Sequence, residues 1–177
     1  GDVYKRQGNV PKKENGPYVF MFNHASMFDA FMLGGSIPFY INAIGWEGIF
    51  KWPLWGFFAK RYGAYSITHD NTHSAIKTLE AAEKILLQDG DSMILSPEGQ
   101  RTITGELGEF KKGGFHYVKN TNIASIVPIG LKGASEANKR TSWKINPGNL
   151  TVVFGEPILP LDYNCLLYTS PSPRDAH

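Results

Sequence analysis

His24 and Asp29 stand five positions apart in the run Asn23-His24-Ala25-Ser26-Met27-Phe28-Asp29, directly after the apolar segment Tyr18–Phe22. An imidazole beside a carboxylate suits proton abstraction from a hydroxyl: the carboxylate fixes the tautomer and stabilises the imidazolium that forms. Five residues of ideal helix rotate by about 500°, which leaves the two side chains roughly 140° apart. The pair therefore requires His24 in a strand-to-helix turn and Asp29 in the first helical turn. A second reading stands beside this one. Ser26-x-x-Asp29 is also a capping-box pattern, in which Asp29 accepts backbone amides and His24 is a plain turn residue.

About seventy residues later comes Ser96-Pro97-Glu98-Gly99-Gln100-Arg101, followed by Gly105, Gly108, Lys111, Lys112, Gly113 and Gly114. Glycines let backbone amides approach an anion, and a guanidinium binds a phosphate through two hydrogen bonds. Glu98 would then orient Arg101 or contact a hydroxyl. The plainer alternative is a loop with an exposed ion pair, which is worth little. The glycine spacing is not that of a Walker A loop, which ends in Gly-Lys-Ser/Thr. Taken together, a base for a hydroxyl and a grip for a phosphate suggest transfer of a group onto a phosphorylated alcohol.

The elements that must carry these residues alternate. Short buried strands are expected at Tyr18–Phe22, 39–44, 63–67, 92–96, 123–129 and 151–154. Helices are expected at 28–33, N-capped by Ser26 and stopped by Gly34-Gly35, at 71–88 and at 111–119. In the second of these, Ile76, Leu79, Ala82 and Leu86 keep three- to four-residue spacing against a charged opposite face. This alternation predicts one α/β domain, a largely parallel mixed sheet flanked by helices. Between them, Trp46, Phe50, Trp52, Trp55, Phe57 and Phe58 crowd a segment that carries Lys51, Lys60 and Arg61. That run reads as an acyl-chain wall, as an interfacial membrane surface, or as a core helix.

Both ends read as foreign. Asp2 to Gln7 can be written GAT GTG TAT AAG AGA CAG, and 165–170 as TGT CTC TTA TAC ACA TCT. These strings are reverse complements over nearly their whole length. They resemble a transposase end used to fragment DNA, and 171–175 resembles the adapter that follows it. Residues 1–7 and 165–177 are therefore set outside the fold as adapter-derived tails, which leaves 8–164 as the domain, expected to be truncated at its N-terminus. Setting aside Lys5, Arg6 and Arg174, with Asp2 and Asp175, reduces 18 basic and 16 acidic residues to 15 and 14. So even a balance gives no case for a nucleic-acid partner. The one cysteine, Cys165, falls in a tail, so no disulfide, thiolate site or cysteine nucleophile is expected. His69, His73 and His116 lack metal-ligand spacing, so no metal is expected. No apolar stretch reaches the roughly 18 residues of a membrane span.

The ordered blocks resemble the glycerolipid acyltransferases of the 1-acyl-glycerol-3-phosphate acyltransferase type across residues 18–158. Asn23-His24-x-Ser26-x-x-Asp29 is similar to that family's N-H-x-S-x-x-D motif, and Gly63 to His69, after the turn Pro53-Leu54-Trp55-Gly56, to its second block. Ser96 to Thr102, with Phe110-Lys111-Lys112-Gly113, resembles the P-E-G-T-R-S block. Val127-Pro128-Ile129-Gly130 and Phe154-Gly155-Glu156-Pro157-Ile158 resemble the last two. The resemblance implies His24 as general base on a lysophospholipid hydroxyl, Asp29 orienting it, and Glu98, Gly99 and Arg101 holding the acceptor phosphate. Asn23, Ser26, Gln100, Val127 and Pro128 would line the substrate site. Acyl-CoA or acyl carrier protein would be the donor, with no further cofactor, at a membrane surface on the cytoplasmic face.

Two departures bear on the acceptor. His69 stands where the family often has arginine, and Gln100 and Thr102 replace threonine and serine. Another lysolipid is therefore an alternative acceptor. A catalytically silent lipid-binding relative and a hydrolase activating water are the alternatives of other classes. Acceptor-dependent thiol release separates the hydrolase from a transferase.

Overall fold

The computed structural model describes residues 4–62, 64–67, 80–81, 83–111, 115, 118, 124–159 and 162. At its centre lies β2 (Tyr18–Phe22), whose five apolar residues are all buried. A strand with parallel neighbours and layers on both faces needs such an unbroken apolar run. Around it stand β1 (Tyr4–Gln7), β3 (Ile41–Trp46), β4 (Tyr65–Ile67), β5 (Ser92–Leu95), β6 (Ser125–Lys132) and β7 (Leu150–Phe154). The sheet order is β1-β7-β6-β2-β5-β3-β4. Every pairing is parallel except β6 with β7. The expected α/β class and largely parallel mixed sheet are what the chain adopts.

Alternation along β2 sorts the core into two layers. Tyr18, Phe20 and Phe22 pack with Met32, Leu33 and Ile37 of the α1 region. Val19 and Met21 face Ile85, Leu86, Met93 and Val118. Helical segments thus cover both faces. Four α-helices are described: α1 (Asp29–Ser36), α2 (Glu47–Phe50), α3 (Pro53–Tyr62) and α4 (Ala134–Ala137). A π-helical turn at Lys84–Gln88 closes the expected 71–88 helix, with Leu86 on its buried face as the periodicity required. Residues 68–79, and most of the expected 111–119 helix, lie outside the described residues.

Three local expectations change. The helix after β2 runs through Gly34 and Gly35 to Ser36, because neither glycine takes a positive φ and each has open space where a Cβ would sit. Pro38 ends it instead, since the residue before a proline is pushed out of the helical region, and Ile37 sits at φ −97° and ψ 116°. Ser26 is not the N-cap. Phe28 holds that position, and Ser26 Oγ accepts the Phe28 N–H at 3.2 Å in a local turn. Finally, Tyr4–Gln7, set outside the fold above, forms an edge strand parallel to β7 with all four residues exposed. Edge pairing runs through the main chain and asks little of side-chain identity. Tyr4 adds a hydroxyl bond to Met32 O at 2.8 Å.

Phe20→Ala is expected to destabilise the fold by about 3–5 kcal/mol, the usual cost of emptying a fully buried phenylalanine site. Removal of residues 1–7 is expected to cost less. Urea unfolding of the two variants in parallel measures both, and a reversed order would place β1 in the core's cooperative unit.

Candidate active site

Because β2 and β5 are adjacent and parallel, the loops that leave them emerge on the same edge of the sheet. That carboxyl edge is where open α/β sheets bind ligands. The register Val19↔Met93 and Met21↔Leu95 continues past both strands. His24 and Glu98 fall on the next level, and there the Glu98 side chain replaces the ladder. Its Oε1 accepts the His24 N–H at 2.8 Å, and Oε2 accepts the Gly108 N–H at 2.8 Å. A Cβ at position 108 would lie 3.0 Å from that oxygen, so glycine admits the contact. On its other side the His24 carbonyl accepts the Thr102 N–H at 2.8 Å. Both main-chain groups of His24 are thus bonded to the segment that follows β5.

The imidazole is held as firmly as its backbone. His24 Nδ1 lies 2.7 Å from Asp29 Oδ2. The same oxygen accepts the N–H of Ala25 at 2.8 Å and of Ser26 at 3.0 Å. Asp29 therefore meets the imidazole and, as the second reading expected, also accepts backbone amides, although Ser26 is not the helix N-cap. Asp29 is 1% exposed, and these donors offset the cost of burying its carboxylate. The His24 side chain keeps 32% of its surface open. With a proton on Nδ1 facing Asp29, Nε2 is the nitrogen left to act. Phe22 meets the ring edge-on at 5.6 Å.

Asn23, expected to line the substrate site, does something else with its amide. Nδ2 donates to the Leu131 carbonyl at 3.0 Å and Oδ1 accepts the Leu131 N–H at 2.6 Å. The side chain acts as one more residue of β2 and holds β6 beside the turn. Ser26 is wholly buried, its N–H on Asp29 and its hydroxyl on Phe28.

Of the residues expected at a phosphate, Glu98 is nine-tenths and more buried with both oxygens on amides. The Gly99 N–H donates to Ser96 O at 3.1 Å, within its own turn. Gly99 has φ +71°, and a Cβ there would meet Lys111 Nζ at 2.8 Å. The ammonium of Lys111 thus lies against the glycine. Arg101 is half-buried, and among the described residues its guanidinium has no ion pair. Gln100 is exposed on the turn between them. Arg101 and Lys111 are cations of the loop whose backbone is bonded to His24, and Arg140 reaches the Arg101 carbonyl.

Val127 and Pro128 are not brought to this edge. Val127 is fully buried opposite Phe20, and Pro128 packs on Gly155. At roughly 3.3 Å per strand residue, the Phe20 level lies about 13 Å before His24. A cleft lined by Asn9, Lys12, Tyr18, Ser125 and Glu156 lies still further back, at the amino end of β2 and β6. Of the aromatic run, Trp52, Phe57 and Phe58 are exposed, so for them the core-helix reading does not hold. The side chains of Trp46 and Trp55, and all of His69, His73, Lys112, Gly113 and His116, lie outside the described residues. Among the described residues no three histidines, cysteines or carboxylates group as for a metal. No described helix is long and apolar enough to cross a membrane.

Sequence reasoning passed over Lys111 as a site residue and read Asn23 and Glu98 as ligand contacts. One signal for Glu98 was available: aligning the two apolar strands puts it level with His24. Lys111 stood in the glycine- and cation-rich run after Arg101, but its approach to Gly99 depends on the loop's closure.

A histidine–carboxylate pair and two cations on the carboxyl edge of a mostly parallel sheet define an α/β protein equipped for acid–base chemistry near an anion. The Acyltransferase family profile matches residues 3–132, and the chain belongs to that family. It is 31% identical over 140 residues to the 1-acyl-sn-glycerol-3-phosphate acyltransferase of Cocos nucifera, covering 79% of this chain and 45% of that protein. Against a chloroplastic 1-acyl-sn-glycerol-3-phosphate acyltransferase of Arabidopsis thaliana it is 34% identical over 154 residues, covering 85% and 41%. The chain thus spans less than half the length of these curated relatives. Its fold is similar to the crystal structure of the 1-acyl-sn-glycerophosphate (LPA) acyltransferase PlsC from Thermotoga maritima. That match has a TM-score of 0.72 at 20% identity, over 97% of this chain and 64% of that one.

Truncating Glu98 to alanine would leave the His24 and Gly108 amides without their acceptor, and Asn23→Ala would do the same to Leu131. Each is expected to cost about 1–3 kcal/mol, since an orphaned buried group carries its full desolvation penalty. Chemical denaturation reads the loss. In the folded protein at alkaline pH, 15N chemical shifts are expected to place the His24 proton on Nδ1, and a proton on Nε2 would contradict the geometry.

Proposed function

We propose that the protein transfers a fatty acyl group from acyl-CoA or acyl carrier protein to the free hydroxyl of a lysophospholipid, converting 1-acyl-glycerol-3-phosphate to phosphatidic acid. The observation that carries this is His24, fixed on Asp29 through Nδ1 and open at its other side, with its backbone bonded to the loop after β5 that bears Arg101 and Lys111. Family membership and the names of the similar proteins support the same reading.

In this mechanism the acceptor hydroxyl donates a hydrogen bond to His24 Nε2. As its oxygen attacks the thioester carbonyl, the proton passes to Nε2, and Asp29 stabilises the imidazolium. The tetrahedral intermediate then collapses, the carbon–sulfur bond breaks, and the imidazolium returns its proton to the departing thiolate. No group of the protein is acylated, and the transfer draws on no cofactor beyond the donor. General-base assistance of this kind is worth roughly 10²–10⁴-fold. Arg101 and Lys111 hold the acceptor phosphate, a guanidinium fork paired with a point charge. Glu98, Asn23 and Ser26 are positioning residues: they fix the turn that presents His24. Exposed Trp52, Phe57 and Phe58 support a membrane surface as the place of work, and in this reading the acyl-CoA or acyl carrier protein donor is met on its cytoplasmic face.

Thiol release from a long-chain acyl-CoA, with and without lysophosphatidic acid, tests the reading. Acceptor-dependent release with formation of phosphatidic acid is expected, and acceptor-independent release would make the protein a hydrolase. His24→Ala is expected to lower turnover by about 10³-fold or more while the circular dichroism stays native. Substantial residual turnover would remove His24 as base. Arg101→Ala should mainly raise the acceptor's KM, and an unchanged acceptor dependence would take Arg101 out of the phosphate site.

A further inference from the structure

Between α4 and β7 the chain makes a loop that none of the chemistry above uses. Its sequence from Lys139 to Asn149, Lys-Arg-Thr-Ser-Trp-Lys-Ile-Asn-Pro-Gly-Asn, has three cations and no acid. The loop is built, not slack. Asn138, 2% exposed, donates through Nδ2 to the carbonyls of Ser142 at 3.0 Å and Lys144 at 3.2 Å. Asn146 closes the far side, its N–H on Ala137 O at 2.8 Å and its amide on Glu136 O at 3.1 Å. These bonds turn Trp143 outward until 80% of it is exposed. Its indole stacks at 6.0 Å and 23° on Trp52, itself 47% exposed, so two tryptophans from distant segments share one open surface. Ile145, Ile103 and Leu107 are exposed on this loop and on the one that follows β5.

The loop also touches the site. Arg140 Nη1 donates to the Arg101 carbonyl at 2.7 Å, and the next residue, Thr102, is bonded to the His24 carbonyl. The surface bearing Trp143 therefore borders the phosphate-binding turn. An exposed tryptophan pair among lysines and arginine, without a neighbouring carboxylate in the loop, matches the apolar-and-anionic boundary of a bilayer better than an ordinary protein surface.

We propose that the 138–146 loop, with Trp143 stacked on Trp52, is a docking element for an anionic lipid surface and seats the active-site edge against it. For the identity of that surface the inference rests on the lipid acyltransfer proposed above. Tryptophan rings lie at the headgroup level, and Lys139 and Lys144 meet the anionic headgroups. The Arg140 bond then keeps Arg101 at the mouth from which the acceptor arrives.

Co-sedimentation of the whole chain with mixed phosphatidylcholine–phosphatidylglycerol vesicles tests it, beside thiol release with a short-chain, monomeric lysophosphatidic acid. Trp143→Ala is expected to weaken vesicle binding roughly ten-fold. Lys139→Ala with Lys144→Ala is expected to weaken it on the order of twenty-fold, at about five-fold per cation, with the effect fading at high salt. Solution turnover should be unchanged in both, since neither variant touches the catalytic groups. Vesicle binding equal to the parent in either variant would overturn the proposal. So would a matching loss of solution turnover, which would make the loop a structural prop. A shift from dimer to monomer in Trp143→Ala, with vesicle binding intact, would also overturn it and assign the surface to a second copy. If the parent released no thiol yet bound vesicles through Trp143, the docking surface would stand and the acyltransfer reading would fall.

Discussion

A carboxylate at 1% exposure has to be met by donors, and the arrangement of the active-site edge follows from how Asp29 meets them. The nearest donors are amides of the turn that precedes its helix, and Asp29 takes those of Ala25 and Ser26. Taking them bends the chain between β2 and α1 so that residue 24 lies beside the carboxylate. The third donor is then the imidazole itself. One buried carboxylate thus holds both the turn before α1 and the histidine ring. The first-turn location adds a modest dipole term in the same direction, since a carboxylate near a helix N-terminus is favoured.

That arrangement holds His24 relative to its own helix but not relative to the rest of the edge. The second constraint is long-range and comes from β5. Parallel register brings Glu98 level with His24, and a carboxylate with two acceptor oxygens can join two amides that no strand now joins. Glu98 thus ties the histidine turn to Gly108, while Asn23 ties it to Leu131 of β6 on the opposite side. The loops after β2 and β5 and the end of the adjacent strand β6 are fastened by side chains that mimic main-chain pairing. Such bonds are short-reach and directional, so they position a ring more closely than packing alone would.

This division explains what could be read from the chain alone. The central strand, the α/β class and the His24–Asp29 contact were legible because each depends on neighbours within a few residues. Tyr18–Phe22 is apolar throughout, and five-residue spacing across a turn admits only a narrow set of geometries. The contacts of Glu98 with His24 and of Asn23 with Leu131 were not read from the chain, since those partners lie 74 and 108 residues away. An acid next to glycine and arginine looks like a ligand contact until the register between β2 and β5 is known. Gly34-Gly35 looked like a stop for a similar reason. Glycine ends a helix when the chain needs a positive φ, and here Pro38 had already imposed the end. The Trp143 loop gave no signal at all, because its form is set by Asn138, a polar residue whose burial no local pattern betrays.

The edge that results is rigid on one side and open on the other. Asp29, Glu98, Asn23 and Ser26 are buried or half-buried and their polar atoms are bonded within the protein, whereas His24 keeps an open side and Arg101 has no ion pair among the described residues. Acids and amides that would compete with a phosphate for the cations are already occupied by backbone. An anion approaching this edge therefore does not compete with Asp29 or Glu98 for the cations. The two carboxylates nearest the histidine, which in an open site would repel a phosphate, are buried and neutralise their burial through amide donors. This segregation, with acids inward on amides and cations outward to solvent, leaves the open side of His24 on the turn after β2 and the cations on the loop after β5 at the same carboxyl edge of the sheet.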